Sequence, residues 1–420
     1  MTVLLAVTVV AAGYLGPRPT PSPSPAPSLL AEGPTRAPAT TAPSGPVPRG
    51  FDAFTGLTPV QLLPGHVVRS WLPQQITSRT PAIIGLRLFY VVQSSQLESS
   101  VIGSAQDAVT LATVPRCEAI NQVAAAGHEV AYVVTSPAGP ASQIAGCGGP
   151  SLSWSVWLLD LDAGKPRQVA GGVRQASSID VAEFPIRLAL TDSAYAFDRP
   201  PESAEAGAGE TVEVHSLDGS LLWTSRTQAP VEEVLLSGGR LAILTYGDTP
   251  AGLRDLWLSD AAHPVPTAVA QPVSSASFSP DGSYLAWDLP PGSGGPSLMY
   301  GSAVGVEALD SGKVLVLNAR TSMDTSEPIR PDVSMTRAGP AIAWFATSPQ
   351  GAVYPAFRFA GGGDGGFLLS GQEPVWLHMD GSTLIWLEER SDGWSNQAFA
   401  VDLLALASDG ADRLAGLRIG

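Results

Sequence analysis

Five histidines, two cysteines and two adjacent glutamate pairs have the most direct claim to chemistry in this 420-residue chain. The histidines are His66, His128, His215, His263 and His378. Nucleophilic catalysis needs a nucleophile, a base and an orienting group that converge in space. None of the five stands beside a Gly-x-Ser-x-Gly turn that would present a serine. His128 falls in a turn, His215 and His378 in strand-like runs, and His263 before a proline. Each therefore reads as a surface or hydrogen-bonded imidazole. Glu232 and Glu233 are sequence neighbours, as are Glu388 and Glu389. On a strand such neighbours point to opposite faces, which does not suit a cooperating acid and base. A glycosidase-type pair assembled from separate parts of the chain stays open. "GGGDGG" (Gly361 to Gly366) has the composition of a calcium-binding Gly-Asp repeat. Such sites need successive copies, so one copy reads as a loop. No catalytic, cofactor-binding or metal-binding residue is assigned.

Cys117 and Cys147 are the two cysteines. Without paired histidines they fall short of the four ligands of a structural zinc. Outside the cytoplasm an isolated pair forms a disulfide. Closing a loop of about 30 residues stabilises by roughly 3 to 4 kcal/mol. Two buried thiols are the alternative. Of the ten tryptophans, Trp157, Trp223, Trp257, Trp287, Trp344, Trp376 and Trp386 sit in strand-like runs and are expected in the core. Trp154 and Trp394 lie nearer loops and are the candidates for exposure.

These residues need elements to hold them, and the elements repeat. "SFSPDGSYLAWD" (Ser277 to Asp288) reads as strand, tight turn, strand. Pro280 is pre-set for a turn, Asp281 bonds to its own backbone, and Gly282 accepts positive φ. Related segments begin at Ile83, Ala124, Phe184, Val234, Met335 and Trp376. Several are followed by a second strand pair, such as "SVWLLDLDAGKPRQVA" from Ser155 and "TVEVHSLDGSLLWTS" from Thr211. "DLWLSDAAHPVPTAVA" from Asp255 is a looser copy, and "QAFAVDLLALASDGADRLAGL" from Gln397 is expected as the last. Two hairpins per unit make a four-stranded propeller blade. The expectation is an all-β, seven-bladed β-propeller, with six or eight blades as the other counts. "VQLLPGHVVRSW" (Val60 to Trp71) is expected to add a strand to the last blade and join the chain ends.

"SFSPDGSYLAW", with its downstream strand pair, resembles the bacterial TolB-like, WD40-like (PD40-type) β-propeller repeat. The full Ser-Pro-Asp-Gly stands only in the copy at Ser277. The resemblance implies a fold and little about activity, since propellers host unrelated functions. It implies a structural role for Pro280, Asp281 and Gly282 in the turn between inner strands. It also implies protein–protein contacts in the bacterial envelope. Prolyl-oligopeptidase-type enzymes join a similar propeller to an α/β-hydrolase domain, for which no length remains here.

The formal charge of −15 argues against nucleic acid and anionic lipid surfaces. "MTVLLAVTVVAAGYLG" (Met1 to Gly16) is apolar and uncharged. As a helix it spans roughly 24 Å, short of a ~30 Å hydrocarbon core. It has no basic leader, which a start upstream of Met1 would explain. Residues 1–16 are expected as a transmembrane anchor or cleaved signal, with a buried strand as the alternative. From Pro17 to Pro48 eleven prolines alternate largely with Ser, Thr and Ala, the composition of an extended, disordered linker. The organisation expected is an N-terminal segment over 1–16, a linker over 17–50 and a propeller over 51–420. The functional expectation is an extracytoplasmic binding scaffold or sensor head. It is tethered to the membrane through its N-terminal segment, or secreted if that segment is cleaved. Its partner is another envelope protein or a small ligand at one propeller face, and no cofactor is expected. Whether the chain is an enzyme is left open, with non-enzyme ahead; the alternative is a hydrolase or lyase with its site at the channel mouth.

Overall fold

The computed structural model describes residues 67–72, 81–104, 108–138, 151–175, 186–199, 209–246, 254–289, 303–317, 331–337, 339–347, 353–359, 364–366, 373–389 and 396–408. His66, Cys147, Trp394 and the segments 1–16 and 17–50 lie outside the described residues.

The strands form seven antiparallel sheets of four. The first described strand, β1 (Val68–Trp71), belongs to the last of them. Blade 1 is β2 (Ala82–Ile84), β3 (Arg87–Val92), β4 (Gln96–Val101) and β5 (Val109–Thr113). Blade 2 is β6 (Ala119–Ala126), β7 (Glu129–Ala138), β8 (Ser151–Asp160) and β9 (Lys165–Gln175). Blade 3 is β10 (Leu188–Leu190), β11 (Ala194–Arg199), β12 (Thr211–Ser216) and β13 (Leu221–Arg226). Blade 4 is β14 (Val231–Ser237), β15 (Arg240–Tyr246), β16 (Arg254–Asp260) and β17 (Thr267–Val273). Blade 5 is β18 (Ala276–Phe278), β19 (Tyr284–Leu289), β20 (Ala303–Ala308) and β21 (Lys313–Leu317). Blade 6 is β22 (Asp332–Thr336), β23 (Gly339–Thr347), β24 (Val353–Phe359) and β25 (Asp364–Gly366). Blade 7 is β26 (Glu373–Asp380), β27 (Thr383–Glu389) and β28 (Asn396–Asp402), completed by β1. The first strands of the blades neighbour one another from β2 round to β26 and are the innermost. The fold is a seven-bladed β-propeller.

The second strand of each blade is a near-continuous apolar run because both its faces are buried. In β3, Phe89 and Val91 point into the seam with blade 2, while Leu88, Tyr90 and Val92 point into the seam with blade 7. Period-two alternation thus serves two cores at once. Seven apolar clusters follow, one per seam, and together they close the ring. The seam between blades 6 and 7 holds Phe357, Phe359, Trp386 and Phe399, the last two stacked with ring centroids 5.1 Å apart. Each such side chain contributes about 1.5–3 kcal/mol of burial.

The ring is closed by the N-terminal strand. Val68 lies opposite Ala400 and Trp71 opposite Gln397 in β28. Leu72 enters the seam of blades 7 and 1 beside Tyr90, Trp376 and Ile385, and the Ser70 hydroxyl accepts the Gly103 N–H at 2.6 Å. The strand pair expected from Gln397 onward is therefore corrected. Among the described residues of that segment only β28 forms, and α1 (Leu403–Ser408) follows it. The Asp402 carboxylate accepts the N–H groups of Leu404 and Ala405, the bonding of a helix N-cap. "LLALAS" has a high helix propensity. The loop expected at Gly361 to Gly366 is likewise corrected, since Asp364–Gly366 pairs with β24 as the outer strand of blade 6.

Candidate functional site

The turn at Pro280, Asp281 and Gly282 is bonded within itself. Gly282 has φ of 71° and donates its N–H to the Ser279 carbonyl at 2.8 Å. The Asp281 carboxylate accepts the hydroxyls of Ser279 and Ser283 and the Ser283 N–H. Burial opposes its ionisation, but these hydrogen bonds outweigh burial and hold the carboxyl below its usual range. The turn also packs on its neighbour. Ser237 Oγ donates to the carbonyls of Ser279 and Pro280, and Arg240 donates to the carbonyl of Gly282. A Cβ on Gly282 would come within 2.6 Å of Gly238 Cα, so glycine is needed for close approach as well as for φ. Cys117 precedes β6 with φ of 74°; its expected partner, Cys147, lies outside the described residues.

The histidines separate clearly. His128 and His263 sit in exposed turns beside Asp162 and Asp260. His215 lies between carboxylate and carbonyl, with Nε2 at 3.0 Å from Glu213 and Nδ1 at 3.1 Å from the Gly219 carbonyl, and stacks on Tyr195 and Phe197. Both its nitrogens are engaged in the seam structure. His378 differs. It lies on β26, the innermost strand of blade 7, with Nδ1 2.8 Å from Oδ2 of Asp332 on β22, the innermost strand of blade 6. Asp332 is buried and also accepts the N–H groups of Val333 and Met379, each at 2.9 Å. Because β26 pairs with β27 alone among the described strands, the Met379 amide bonded to Asp332 lies on its other edge. The carboxylate therefore sits on the inner wall of the ring. The imidazole stacks on Trp376 with centroids 5.8 Å apart and remains 29% exposed. Burial works against its charge, but the Asp332 carboxylate, its hydrogen bond and the more distant Asp380 outweigh burial and hold the imidazole above its ordinary value. Chemically this is a base with an orienting carboxylate.

Other buried carboxylates serve the frame. Asp198, near the end of β11, accepts the Arg187 N–H just before β10. Asp288, at the same place in β19, accepts the N–H groups of Ser274 and Ser275 and the Ser274 hydroxyl, just before β18. Each clamps the start of an innermost strand to the end of the next strand. Burial pushes the Asp198 carboxyl up to about 8, helped by nearby Glu210 and opposed by the hydrogen bond and charge of Arg187. Burial also raises Asp288. Glu388 is buried and raised by desolvation, with the Trp386 indole N–H on it at 2.9 Å, whereas Glu389 is exposed. That difference fits neighbours on opposite strand faces. Among the described residues no group of three or more His, Cys, Asp or Glu is placed to hold a metal ion.

Sequence reasoning passed over Asp198, Asp288 and Asp332. "AFDRP" and "AWDLP" share an Asp two residues before a proline, a signal that could have found the first two. Asp332 lies 46 positions from His378, and no local pattern joins them. Trp154, expected near the surface, is buried in the seam of blades 2 and 3 beside Phe197. Its ring lies over Gly172 on the neighbouring strand, where a side chain would collide with it. Trp287, Trp344, Trp376 and Trp386 are buried as expected. On the outside, the exposed large apolar residues include Val109 in β5, Val173 in β9, Leu221 and Leu222 in β13, and Val265 just before β17. All are more than half exposed, and they fall on the outermost strands, or beside them, in four successive blades.

No protein-family model matches the sequence. No characterised protein matches it by sequence. Solved structures do match by fold. A prolyl endopeptidase structure superposes with a TM-score of 0.52 at 15% identity, over 81% of this chain and 48% of that one. The β-propeller domain of the Trilobed protease from Pyrococcus furiosus gives 0.50 at 8% identity, over 80% of this chain and 96% of that one. TolB from Acinetobacter baumannii gives 0.37 at 12% identity, over 80% and 64%. The class that the first two likenesses and the seven sheets define is that of the β-propellers.

Proposed function

We propose that this chain is a binding head, a TolB-like propeller scaffold or sensor displayed outside the cytoplasmic membrane on its N-terminal segment. Its partner is another envelope protein, it does not take nucleic acid, and its role is recognition. The observation that carries this reading is the set of exposed apolar side chains along the outermost strands of blades 1 to 4. Large apolar side chains left in water on an unpaired sheet edge offer a contact surface. Leu221 and Leu222 are consecutive, so β13 offers apolar surface on both faces of an outer edge. Envelope extract passed over immobilised wild-type protein and over the Leu221→Asp, Leu222→Asp double variant tests it. A partner is expected on the wild type and lost from the variant, with melting unchanged. Equal capture by both removes the rim from the argument.

A second reading, a hydrolase or lyase acting at the channel, is favoured by the His378–Asp332 pair on the inner wall. An imidazole whose Nδ1 is fixed by a carboxylate has the form of a general base.

A further inference from the structure

We propose that His378 is the general base of a water-activating site on the inner wall of the ring, positioned by Asp332, and that its substrate class is the uncharged acyl compounds, esters or amides. The proposal rests on the second reading above and gives it residues and a substrate.

Four observations converge. Asp332 holds Nδ1 at 2.8 Å and is itself held by two backbone N–H groups, so the carboxylate cannot swing away without leaving buried donors unpaired. With Nδ1–H committed to Asp332, the neutral ring carries its lone pair on Nε2. Nε2 has no hydrogen bond to any described residue, whereas both nitrogens of His215 are engaged. The ring is fixed in orientation by Trp376 and reaches solvent more than its largely shielded carboxylate does. The exposed histidines, His128 and His263, share neither the buried carboxylate nor the inner-wall position. Among the described residues the charged groups that act on His378 are Asp332 from β22 and Asp380 from its own strand, and both are acidic. They favour a protonated ring as the product of base catalysis and repel an anionic substrate. An uncharged ester or amide is compatible with that charge and with water activation by a base, and is the substrate class proposed.

The step balances without a cofactor. Nε2 takes a proton from a water as the water oxygen bonds to the acyl carbon. The tetrahedral intermediate then collapses, the bond to the leaving oxygen or nitrogen breaks, and the leaving group takes the proton from the imidazolium. One water is consumed, and an acid and an alcohol or amine are released.

The test uses the full chain and p-nitrophenyl acetate, followed from pH 5 to 9. The wild type is expected to exceed the buffer rate, with an excess that rises as one group of pKa above 6.5 loses its proton and a solvent deuterium effect of about two or more, as proton transfer in the transition state requires. His378→Gln is expected to lose the excess while melting as the wild type does. Asp332→Asn, which removes the charge that lifts the ring, is expected to move the profile to lower pH and cut the rate by about 10²-fold or more. A merely structural Asp332 would change stability and leave the profile in place. Full activity in His378→Gln overturns the assignment of the base but leaves a hydrolase. A wild-type rate equal to buffer overturns both. A profile unmoved in Asp332→Asn overturns the positioning role.

Discussion

Replacing Asp198 with Asn tests whether burial alone governs the carboxylates that pin the innermost strands. Asp198 is 5% exposed, and its carboxyl is pushed up to about 8 from an ordinary 3.8. Desolvation is the main cause, Glu210 adds to it, and Arg187 opposes it. The folded chain therefore keeps this proton over a range in which the unfolded chain has released it. Between about pH 4 and pH 8 the unfolded state binds fewer protons, so stability falls as pH rises. One proton of difference makes the slope up to ~1.4 kcal/mol per pH unit. Asn keeps an oxygen to accept the Arg187 N–H and has no proton to lose. Urea unfolding of wild type and Asp198→Asn at pH 5, 6, 7 and 8 reads the difference. The variant is expected to gain on the wild type by about 1 kcal/mol per pH unit across this range, with the gain levelling off above pH 8. Curves that stay parallel from pH 5 to 8 would mean that Asp198 is ionised throughout, and the desolvation reasoning would fail.

Other outcomes follow from the same geometry. Gly282→Ala adds a Cβ against the backbone of Gly238 at a positive φ and is expected to cost about 3 kcal/mol, whereas Gly85→Ala, also at positive φ but with open space around it, is expected to cost only about 1; paired denaturation curves decide. Leu72→Ala empties a buried position where the ends of the ring meet and is expected to cost about 2–4 kcal/mol, seen as a lower Tm. Thiol labelling of the native, unreduced chain is expected to find no free cysteine; two labelled thiols would remove the disulfide between Cys117 and Cys147 and with it one support for an external location.

The repeat was legible because its signals are local. Asp-Gly and Gly-rich turns, followed by apolar runs such as "RLFYVV" and "RLAILTY", mark a hairpin whatever surrounds it. The count of seven units came from those turns alone. The last blade was harder. "LLALASDG" has apolar residues that suit a strand or a helix, and the short capped helix won because Asp402 captures its first N–H groups. Trp154 was misplaced because the position of a loop does not reveal the glycine strand that lies under its ring.

Taken by itself, the chain determined its class of structure: all-β, seven similar units, turns at stated residues, and a strongly acidic net charge. These follow from period-two patterning and turn chemistry, which act over a few residues. Only the tertiary structure decided which strand closes the ring, which aspartates hold its innermost strands, and that Asp332 meets His378 across two blades. Those pairings join residues 11 to more than 300 positions apart. They depend on which strands come to lie side by side, and no spacing along a single strand encodes that.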